Sequence, residues 1–498
     1  MTRIRTFLLL GALLLVSYAY VLPRWADWSQ NSRLDLVRAL SEQHDVVIDD
    51  YVSNTGDYAL YRGHAYSDKA PGPAFLALPA ALALQPALDH PASQRQLEQI
   101  AGSGSLSATL NPTGTGINTD KLRAFVLLVA ITFFASALPT ALGALALYAL
   151  LRRHRVAATL ATLVTLAYGL ATPLAAYGGN FYSHALVASL LIGAWAVTDR
   201  EYTPARAVLA GLLLGWAVIS EYPAALPGAI IALAGLWRWR RPSALVWLTL
   251  GGLPTVLLLV LYDWRAFGTP FPIGYEHSAL WQKEHQTGFM SITYPHAAAF
   301  WGLLFGQYRG LFARAPWLLL ALPGYLIWWR SGRAREHWWV ALLAPLSILL
   351  FYGSSAMWPG GFAAGPRYLV LIVPFLACAC VPTALTLWRR MAGRIALFVL
   401  IAVSLIVTWS EAVARQAFPP DTIANPWIEY TWPAWRDADI ARNLGTFLGL
   451  RGGLSLLPLV LLIIVIGAYL LRRPTHAAAA TSPTAHSTEG QTVAPIQH

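Results

Sequence analysis

The sequence contains few charged residues. Asp, Glu, Lys and Arg make up 12% of its 498 residues, whereas soluble domains carry about 25%. Hydrophobic residues make up 56%, and the mean hydropathy is +0.50. Because such a chain has too little polar surface to cover a water-soluble body, this composition excludes a soluble enzyme, a disordered scaffold and a nucleic-acid-binding protein.

Cysteines and common catalytic motifs are scarce as well. The two cysteines, Cys378 and Cys380, lie two positions apart in an apolar run, and side chains at that spacing on a helix do not face each other. No disulfide framework is therefore predicted. The chain has no HExxH, CxxC pair, Walker loop, GxSxG or dinucleotide-binding motif. Nothing in the sequence indicates a cofactor or metal ligands, although a missing motif does not exclude a divalent metal.

Apolar runs bounded by charged residues predict about twelve membrane-spanning helices. The runs lie near 6–22, 123–150, 156–177, 181–198, 205–219, 222–237, 243–262, 311–329, 337–352, 368–388, 395–410 and 454–471. Arginines gather at alternate ends of these runs, and the positive-inside rule makes those ends cytoplasmic. This topology places 18 of the 35 basic residues inside but only 4 of the 24 acidic residues. Both termini are then cytoplasmic.

The predicted fold is therefore an all-α polytopic membrane protein with long outer loops at 23–122, 263–310 and 411–453. Residues 1–473 are expected to form one integral membrane domain, and the Ala-, Thr-, Ser- and Pro-rich residues 474–498 a disordered cytoplasmic tail. These outer loops are expected to carry amphipathic surface helices. In the first loop, Ser32 and Asp35 have the capping-box form, and Leu34, Val37 and Leu40 recur at helical spacing. That pattern predicts a helix along the bilayer surface.

Segment 72–88 of the first outer loop is apolar but contains three prolines. If it crossed the membrane, every later charge assignment would invert. We therefore predict a re-entrant or interfacial segment, which is tolerated at membrane depth only when it packs against protein.

A polar stretch in the first outer loop, residues 47–73, contains the candidate catalytic groups. The carboxylates Asp49, Asp57 and Asp68 suit general-base catalysis, metal binding or simple solvation. Lys69 is one of only three lysines in the chain. It lies just before the apolar segment, where its ammonium would reach the depth of lipid head groups. We therefore predict that Lys69 contacts a phosphate.

Further polar residues stand at the predicted outer ends of spans. They are His184, Glu221, Arg309 and Arg367, and we predict that they contribute to substrate binding. Charged groups at membrane depth are costly unless they face a polar cavity. Two alternatives stay open: His184 could be bonded to a backbone carbonyl, and Glu221 and Arg367 could pair with each other without chemistry.

The stretch GHAYSDKAPGPAFLALP at 63–79 and the segment GPRYLVLIVPF at 365–375 resemble a known family. It is the GT-C superfamily of polyprenyl-phosphate-dependent membrane glycosyltransferases, in particular its protein O-mannosyltransferases and aminoarabinose transferases. The resemblance implies a phosphate-contacting role for Lys69. It also implies an acidic catalytic base at the start of the surface helix, where this chain has Gln30 and Asn31. Either Asp49, Asp57 or Asp68 replaces that base, or the activity differs.

The resemblance implies a transferase of the bacterial inner membrane that moves a sugar on the periplasmic face. Its partners would be a polyprenyl-phosphate-linked donor, membrane lipids and a glycan, lipid or protein acceptor, with no nucleic acid. A lipid or glycolipid flippase and a non-catalytic envelope assembly factor are the alternatives. A flippase predicts polar residues in the middle of its spans, whereas here the polar residues gather at the outer ends, which favours a reaction cleft open to one side.

Overall fold

The structure, a computed structural model, describes residues 3–25, 27–102, 119–270, 274–288 and 291–472. The predicted tail, 474–498, lies outside the described residues. The α-helices are α1 Arg3–Tyr20, α2 Trp28–Arg38, α3 Gly72–Asp89, α4 Pro91–Gly102, α5 Thr119–Thr132, α6 Leu138–Arg153, α7 Ala158–Leu170, α8 Leu174–Tyr177, α9 Ser183–Thr198, α10 Pro204–Ser220, α11 Ala225–Trp239, α12 Pro242–Phe267, α13 Gln282–Gln286, α14 Ala297–Leu304, α15 Leu311–Arg314, α16 Ala321–Ser331, α17 Arg335–Gly353, α18 Val373–Trp388, α19 Met391–Val413, α20 Trp432–Arg436, α21 Leu444–Phe447 and α22 Leu457–Arg472. Strands β1 Tyr58–Tyr61 and β2 His64–Ser67 form an antiparallel hairpin.

Long apolar helices dominate the architecture, as expected for a multi-pass membrane protein. Among the described residues, five helical stretches are long and apolar enough to cross a membrane: Lys121–Arg153, Pro242–Phe267, Arg367–Trp388, Met391–Val413 and Gly452–Arg472. Four shorter apolar helices are Ile4–Tyr20, Ala158–Leu170, Ser183–Thr198 and Pro204–Ser220. Each of the twelve predicted runs is largely helical. The number of membrane crossings stays a prediction.

Some helices are buried at the centre of the protein, and others lie at its periphery with exposed apolar side chains. In the most apolar part of Arg367–Trp388, 83% of the residues are buried inside the protein, against 17% in α12 and in α19. Helix α9 is also buried along most of its length. Because α12 and α19 expose rows of leucine, isoleucine and valine side chains, they are suited to contact acyl chains.

Helices α10 and α12 cross at very short distance. A Cβ atom at Gly211 would lie 1.9 Å from the carbonyl oxygen of Leu248, and one at Gly251 would lie 2.0 Å from that of Val208. Small residues permit this approach of two backbones, as in other membrane helix pairs. The crossing fixes α10, which ends at Ser220, immediately before Glu221.

Helix α2 differs from the predicted amphipathic surface helix. It begins at Trp28, so Ser32 lies inside the helix and does not cap it. Every residue from Ser29 to Arg38 is buried, because α3 and strand β2 pack against this helix. The Ser32 hydroxyl lies 2.9 Å from the Ser67 hydroxyl at the end of β2. The surface location was therefore wrong, and the predicted stripe of leucines and valine is one part of a helix buried all round.

Segment 72–88, predicted to be re-entrant or interfacial, is the continuous helix α3. Small side chains, among them Ala74, Ala77 and Ala81, form its buried face. At its first residue, a Cβ atom on Gly72 would lie 2.4 Å from the Ser220 hydroxyl oxygen, and Trp216 donates to the Gly72 carbonyl at 3.2 Å. The start of α3 is thus pressed against the end of α10.

Candidate active site

Polar side chains from separate parts of the chain form one buried cluster, which we call the polar site: Asp27, Asp57, Asp68, Lys69 and Arg367. At its centre the Lys69 ammonium lies 3.0 Å from Asp57 Oδ2 and 3.0 Å from Asp68 Oδ1. Both carboxylates are buried. The sequence predicted these three residues as candidates, and the fold of the β-hairpin against the start of α3 brings them together.

Two neighbouring side chains hold the carboxylates in place. The Trp281 indole donates to Asp57 Oδ1 at 3.3 Å, and the Ser278 hydroxyl donates to Asp68 Oδ2 at 3.3 Å. Both donors belong to the second long loop, 263–310. This loop therefore supplies hydrogen bonds to both of these carboxylates of the polar site.

The two carboxylates beside Lys69 differ in their proton affinity. Burial raises the pKa of Asp57, but the Lys69 charge and hydrogen bond outweigh burial, so the net pKa lies below the ordinary value. Burial raises the pKa of Asp68 and prevails there over the attraction of Lys69. Although burial lowers the pKa of Lys69, Asp57 and Asp68 raise it above its usual value. Asp57 and Lys69 thus form an ion pair, and Asp68 accepts a proton more readily.

Asp27 is the site residue that the sequence analysis missed. It lies immediately before α2 and is 5% exposed. The Tyr182 hydroxyl lies 2.6 Å from both of its carboxylate oxygens and donates to them. Burial raises the pKa of Asp27, and the opposing effects of Tyr182, Arg367 and Arg24 do not cancel it. The usual preference for Asp immediately before a helix was the available signal, but the predicted helix start was too late in the chain.

Gln30 and Asn31, the residues expected at the family's acidic position, have structural contacts. The Gln30 side chain accepts from the Phe181 amide at 2.8 Å and donates to the Arg24 carbonyl. Asn31 donates to the Trp25 carbonyl at 2.8 Å. They tie α2 to neighbouring chain segments, and the carboxylate at the start of α2 is supplied by Asp27.

Arg367 is the cation of the polar site with donors left over. Its positive charge acts to lower the pKa of both Asp27 and Asp57. One guanidinium nitrogen donates to the Tyr368 hydroxyl at 3.3 Å. The buried Nε has no hydrogen-bond partner among the described residues. Arg367 therefore has a buried donor that no described residue takes up.

Glu221 and His184 flank the polar site without pairing with Arg367. Glu221 lies 3.8 Å from Arg33 and accepts a hydrogen bond from Ser183. The His184 ring stacks on Tyr177 and Tyr368, with centroids 5.6 and 5.8 Å away. Its Nδ1 faces the Ser183 hydroxyl at 3.4 Å. The arginine beside Glu221 is thus Arg33, and not Arg367 as one alternative had it. The other alternative was a backbone carbonyl as the partner of His184, whereas its Nδ1 faces the Ser183 hydroxyl.

The remaining candidates lie apart from the central cluster. Asp49 is at the surface, where its carboxylate lies 2.7 Å from His64 Nδ1 and is 42% exposed. Arg309 is fully buried behind the loop that precedes Arg367, and its guanidinium binds backbone carbonyls. The structure therefore brings Asp57, Asp68, Lys69 and Arg367 together and separates them from Asp49.

A second polar cluster, with a buried carboxylate at its centre, lies at the opposite end of α9, about 22 Å from His184 at 1.5 Å per residue. Its centre is Asp199, which contacts His154 at 3.3 Å, His337 at 2.8 Å and Arg153 at 2.7 Å. We call these four residues the Asp199 cluster. All four belong to loops or helix ends that the charge pattern assigns to the cytoplasmic side.

The two histidines and the carboxylate have the spacing of metal ligands, but the hydrogen bonds oppose that role. The Trp195 indole N–H, which can only donate, lies 3.0 Å from His337 Nδ1. The neutral His337 ring therefore carries its proton on Nε2, the atom that faces Asp199 and that would have to bind the metal. Arg153 occupies the other carboxylate oxygen. This donor set fits an ion-pair cluster better than a metal site.

Replacing Asp199 by asparagine is expected to lower the free energy of unfolding by about 2 kcal/mol, because the buried carboxylate loses its charge-assisted contacts with Arg153 and the two histidines. Thermal unfolding of the detergent-solubilised variant should show a clearly lower Tm. The exposed Asp437→Asn variant, which disturbs a surface pair with Arg436, is the control and should match wild type. An unchanged Tm for Asp199→Asn would contradict a stabilising role of the Asp199 cluster.

Comparison with known proteins gives structural matches only. ArnT from Cupriavidus metallidurans in the apo state is 15% identical, with a TM-score of 0.45 over 92% of this chain and 72% of that one. ArnT bound to undecaprenyl phosphate is 14% identical, with a TM-score of 0.43 over 82% and 65%. The oligosaccharyltransferase AglB from Archaeoglobus fulgidus, in complex with an inhibitory peptide and a dolichol-phosphate, is 11% identical, with a TM-score of 0.44 over 82% and 55%.

The chain therefore spans about half the length of that oligosaccharyltransferase. No family model and no curated protein matches the sequence. At these scores the similarity is distant, and the chemistry of the polar site has to be read from its own residues.

Proposed function

We propose that this chain is a membrane glycosyltransferase that moves a sugar from a polyprenyl-phosphate donor to an acceptor hydroxyl on the periplasmic face. The observation that carries the proposal is the polar site. It contains a buried carboxylate held by a tyrosine, Asp27, whose pKa responds to the charge of Arg367. It also contains Lys69, so that two cations suited to a phosphate, Lys69 and Arg367, belong to the same site. An acceptor hydroxyl requires a carboxylate that takes its proton, and a departing phosphate requires cations that stabilise its negative charge.

Asp27 is the proposed general base. Asp57 and Asp68 each contact the Lys69 ammonium directly, whereas Asp27 accepts from the neutral Tyr182 hydroxyl. A carboxylate whose pKa is raised toward the working pH is a better proton acceptor. Burial raises the pKa of Asp27, which supports this assignment over Asp57.

The proposed step is a single inverting displacement. The acceptor oxygen forms a bond to the anomeric carbon while its proton passes to the Asp27 carboxylate. The bond between the anomeric carbon and the phosphate oxygen breaks, and the phosphate oxygen keeps the electron pair. Lys69 and Arg367 stabilise the negative charge on the polyprenyl phosphate. Fixed donors placed where charge develops are usually a large contribution to catalysis.

Two features of Lys69 fit a phosphate-binding role. Its ammonium is balanced by Asp57, and Asp68 takes up a proton more readily than an ordinary aspartate because it is buried. A protonated Asp68 leaves the ammonium free to contact a second anion. Lys69 also lies three residues before the start of α3, whose apolar surface is suited to lie beside a polyprenyl chain.

The donor is proposed to be an undecaprenyl-phosphate-linked sugar, and the membrane is proposed to be the bacterial inner membrane with both termini cytoplasmic. Undecaprenyl phosphate is the lipid in one of the similar structures.

The test is release of undecaprenyl phosphate from undecaprenyl-phosphate-linked sugars extracted from bacterial membranes. Purified protein should release the free lipid phosphate, detected by mass spectrometry, and should do so faster with an acceptor present. A flippase or a non-catalytic assembly factor would release none. A lack of release with lipid extracts of the source cells would contradict the proposed function.

A further inference from the structure

Arg309 uses its whole guanidinium to hold one loop. The residue is 0% exposed. Its Nε donates to the Pro359 carbonyl at 2.9 Å, and its two terminal nitrogens donate to the carbonyls of Ala363 and Gly361. One of them also donates to the Tyr308 hydroxyl at 2.8 Å. With each of its nitrogens bonded in this way, Arg309 has little left to offer a phosphate.

The carbonyls that Arg309 binds lie on both sides of Gly360. Pro359 precedes this glycine and Gly361 follows it. Gly360 has a φ of +75°, a left-handed conformation that glycine adopts without the steric cost other residues meet. Arg309 therefore fixes a backbone turn that the chain would not hold through side chains of its own.

The same turn is the surface against which Arg367 rests. A Cβ atom on Gly360 would lie 3.2 Å from Arg367 Nε and 3.1 Å from the Tyr368 ring. The missing side chain thus leaves the space that the Arg367 guanidine group occupies. Any shift of the Gly360 backbone would move the guanidinium of Arg367 or displace it.

A second arginine supports the segment on which Arg309 stands. Arg314 pairs with Glu411 at 3.1 Å, and both side chains are buried. Arg314 also donates to the carbonyls of Gly306 at 3.3 Å and Tyr308 at 3.0 Å. The backbone immediately before Arg309 is thus held from one side while Arg309 holds the loop of Gly360 on the other.

We infer that Arg309 is a positioning residue that sets the guanidinium of Arg367 for phosphate binding, and that it is not itself a phosphate ligand. The inference rests on the proposed function, because it concerns the phosphate of the same donor. It separates two arginines that the sequence predicted as equivalent substrate contacts. A planar guanidinium can bind several carbonyls in fixed directions, which a lysine ammonium cannot reproduce.

The experiment is a double-mutant cycle on binding of undecaprenyl phosphate to the detergent-purified full chain, measured by native mass spectrometry. Arg367→Met and Arg309→Met should each weaken binding about tenfold, the loss of roughly one charge-assisted contact. In the Arg367→Met background, Arg309→Met should then change the affinity less than twofold, because interacting residues are not additive.

Gly360→Ala serves as the second variant, because loss of a buried arginine can destabilise the fold. It adds a methyl group directed at Arg367 and strains the left-handed backbone of the turn, so both effects act on the position of Arg367. It should show the same loss and the same lack of additivity with Arg367→Met. The Tm of each variant is measured alongside. If Arg309→Met weakens the binding of undecaprenyl phosphate equally in the wild-type and the Arg367→Met backgrounds, the positioning role is overturned and the proposed function stands. A wild-type chain that binds no undecaprenyl phosphate would overturn both.

Discussion

Replacing Asp27 by asparagine is expected to lower the turnover number by about 10²–10⁴-fold, the usual contribution of a general base. Asparagine has nearly the same shape and can still accept from Tyr182, but its amide cannot take a proton. Donor binding should change little, because the cations near the phosphate remain. Initial rates of undecaprenyl phosphate release over a range of donor concentrations measure both quantities.

Asp49→Asn is the matched comparison for this variant. The same chemical change is made at another aspartate of the first long loop, one that lies at the surface beside His64. It should leave turnover near the wild-type value. Loss of activity in Asp49→Asn with full activity in Asp27→Asn would contradict our assignment of the base.

The wild-type pH profile gives a further check on the same residue. The base must be unprotonated to act, so activity falls as the pH drops through the pKa of Asp27. Because burial raises that pKa, the fall should begin at a higher pH than for an ordinary aspartate, whose pKa is about 3.9. Activity that persists unchanged down to that ordinary range would contradict the base role.

Removing the Lys69 ammonium is expected to cost about 2.7–4 kcal/mol of transition-state stabilisation, the typical loss for one preorganised donor. Lys69→Met alone would also leave Asp57 and Asp68 buried without their cation, which typically costs about 3–5 kcal/mol of stability. The double variant Asp57→Asn/Lys69→Met keeps the charge balance and is the cleaner test. It should fold, with a Tm near wild type, and lose undecaprenyl phosphate release.

Asp57→Asn alone is the control for that double variant, because it retains the ammonium. It should keep part of the activity, whereas the double variant should keep almost none. If the double variant folds and releases undecaprenyl phosphate at the rate of Asp57→Asn, Lys69 has no role at the phosphate.

The sequence was informative where the signal is local or depends on the sum of charges. Lys69 was predicted from its rarity and its place before an apolar segment, and it lies at the centre of the polar site. The sidedness inferred from the sorting of arginines to alternate ends stays a prediction. His184 and Asp199 belong to opposite predicted sides, and they stand at opposite ends of α9.

The sequence was not informative about which side chains are already occupied. Arg309 and Arg367 are both arginines that precede buried helices, so residue type and position in the sequence do not distinguish their roles. Their difference depends on backbone carbonyls of a loop whose path is set by glycines with positive φ. Likewise, Asp27 was missed because helix ends are poorly determined by periodicity, and because a tyrosine from a distant loop holds the carboxylate.

The most direct test is a cryo-electron microscopy structure of the full chain with undecaprenyl phosphate. We expect the phosphate within hydrogen-bond distance of Lys69 Nζ and the Arg367 guanidinium, with the carboxylate of Asp27 on the open side where an acceptor would enter. Arg309 should keep its bonds to the loop carbonyls. A phosphate bound elsewhere, with Lys69 still enclosed by Asp57 and Asp68, would contradict our assignment of the polar site.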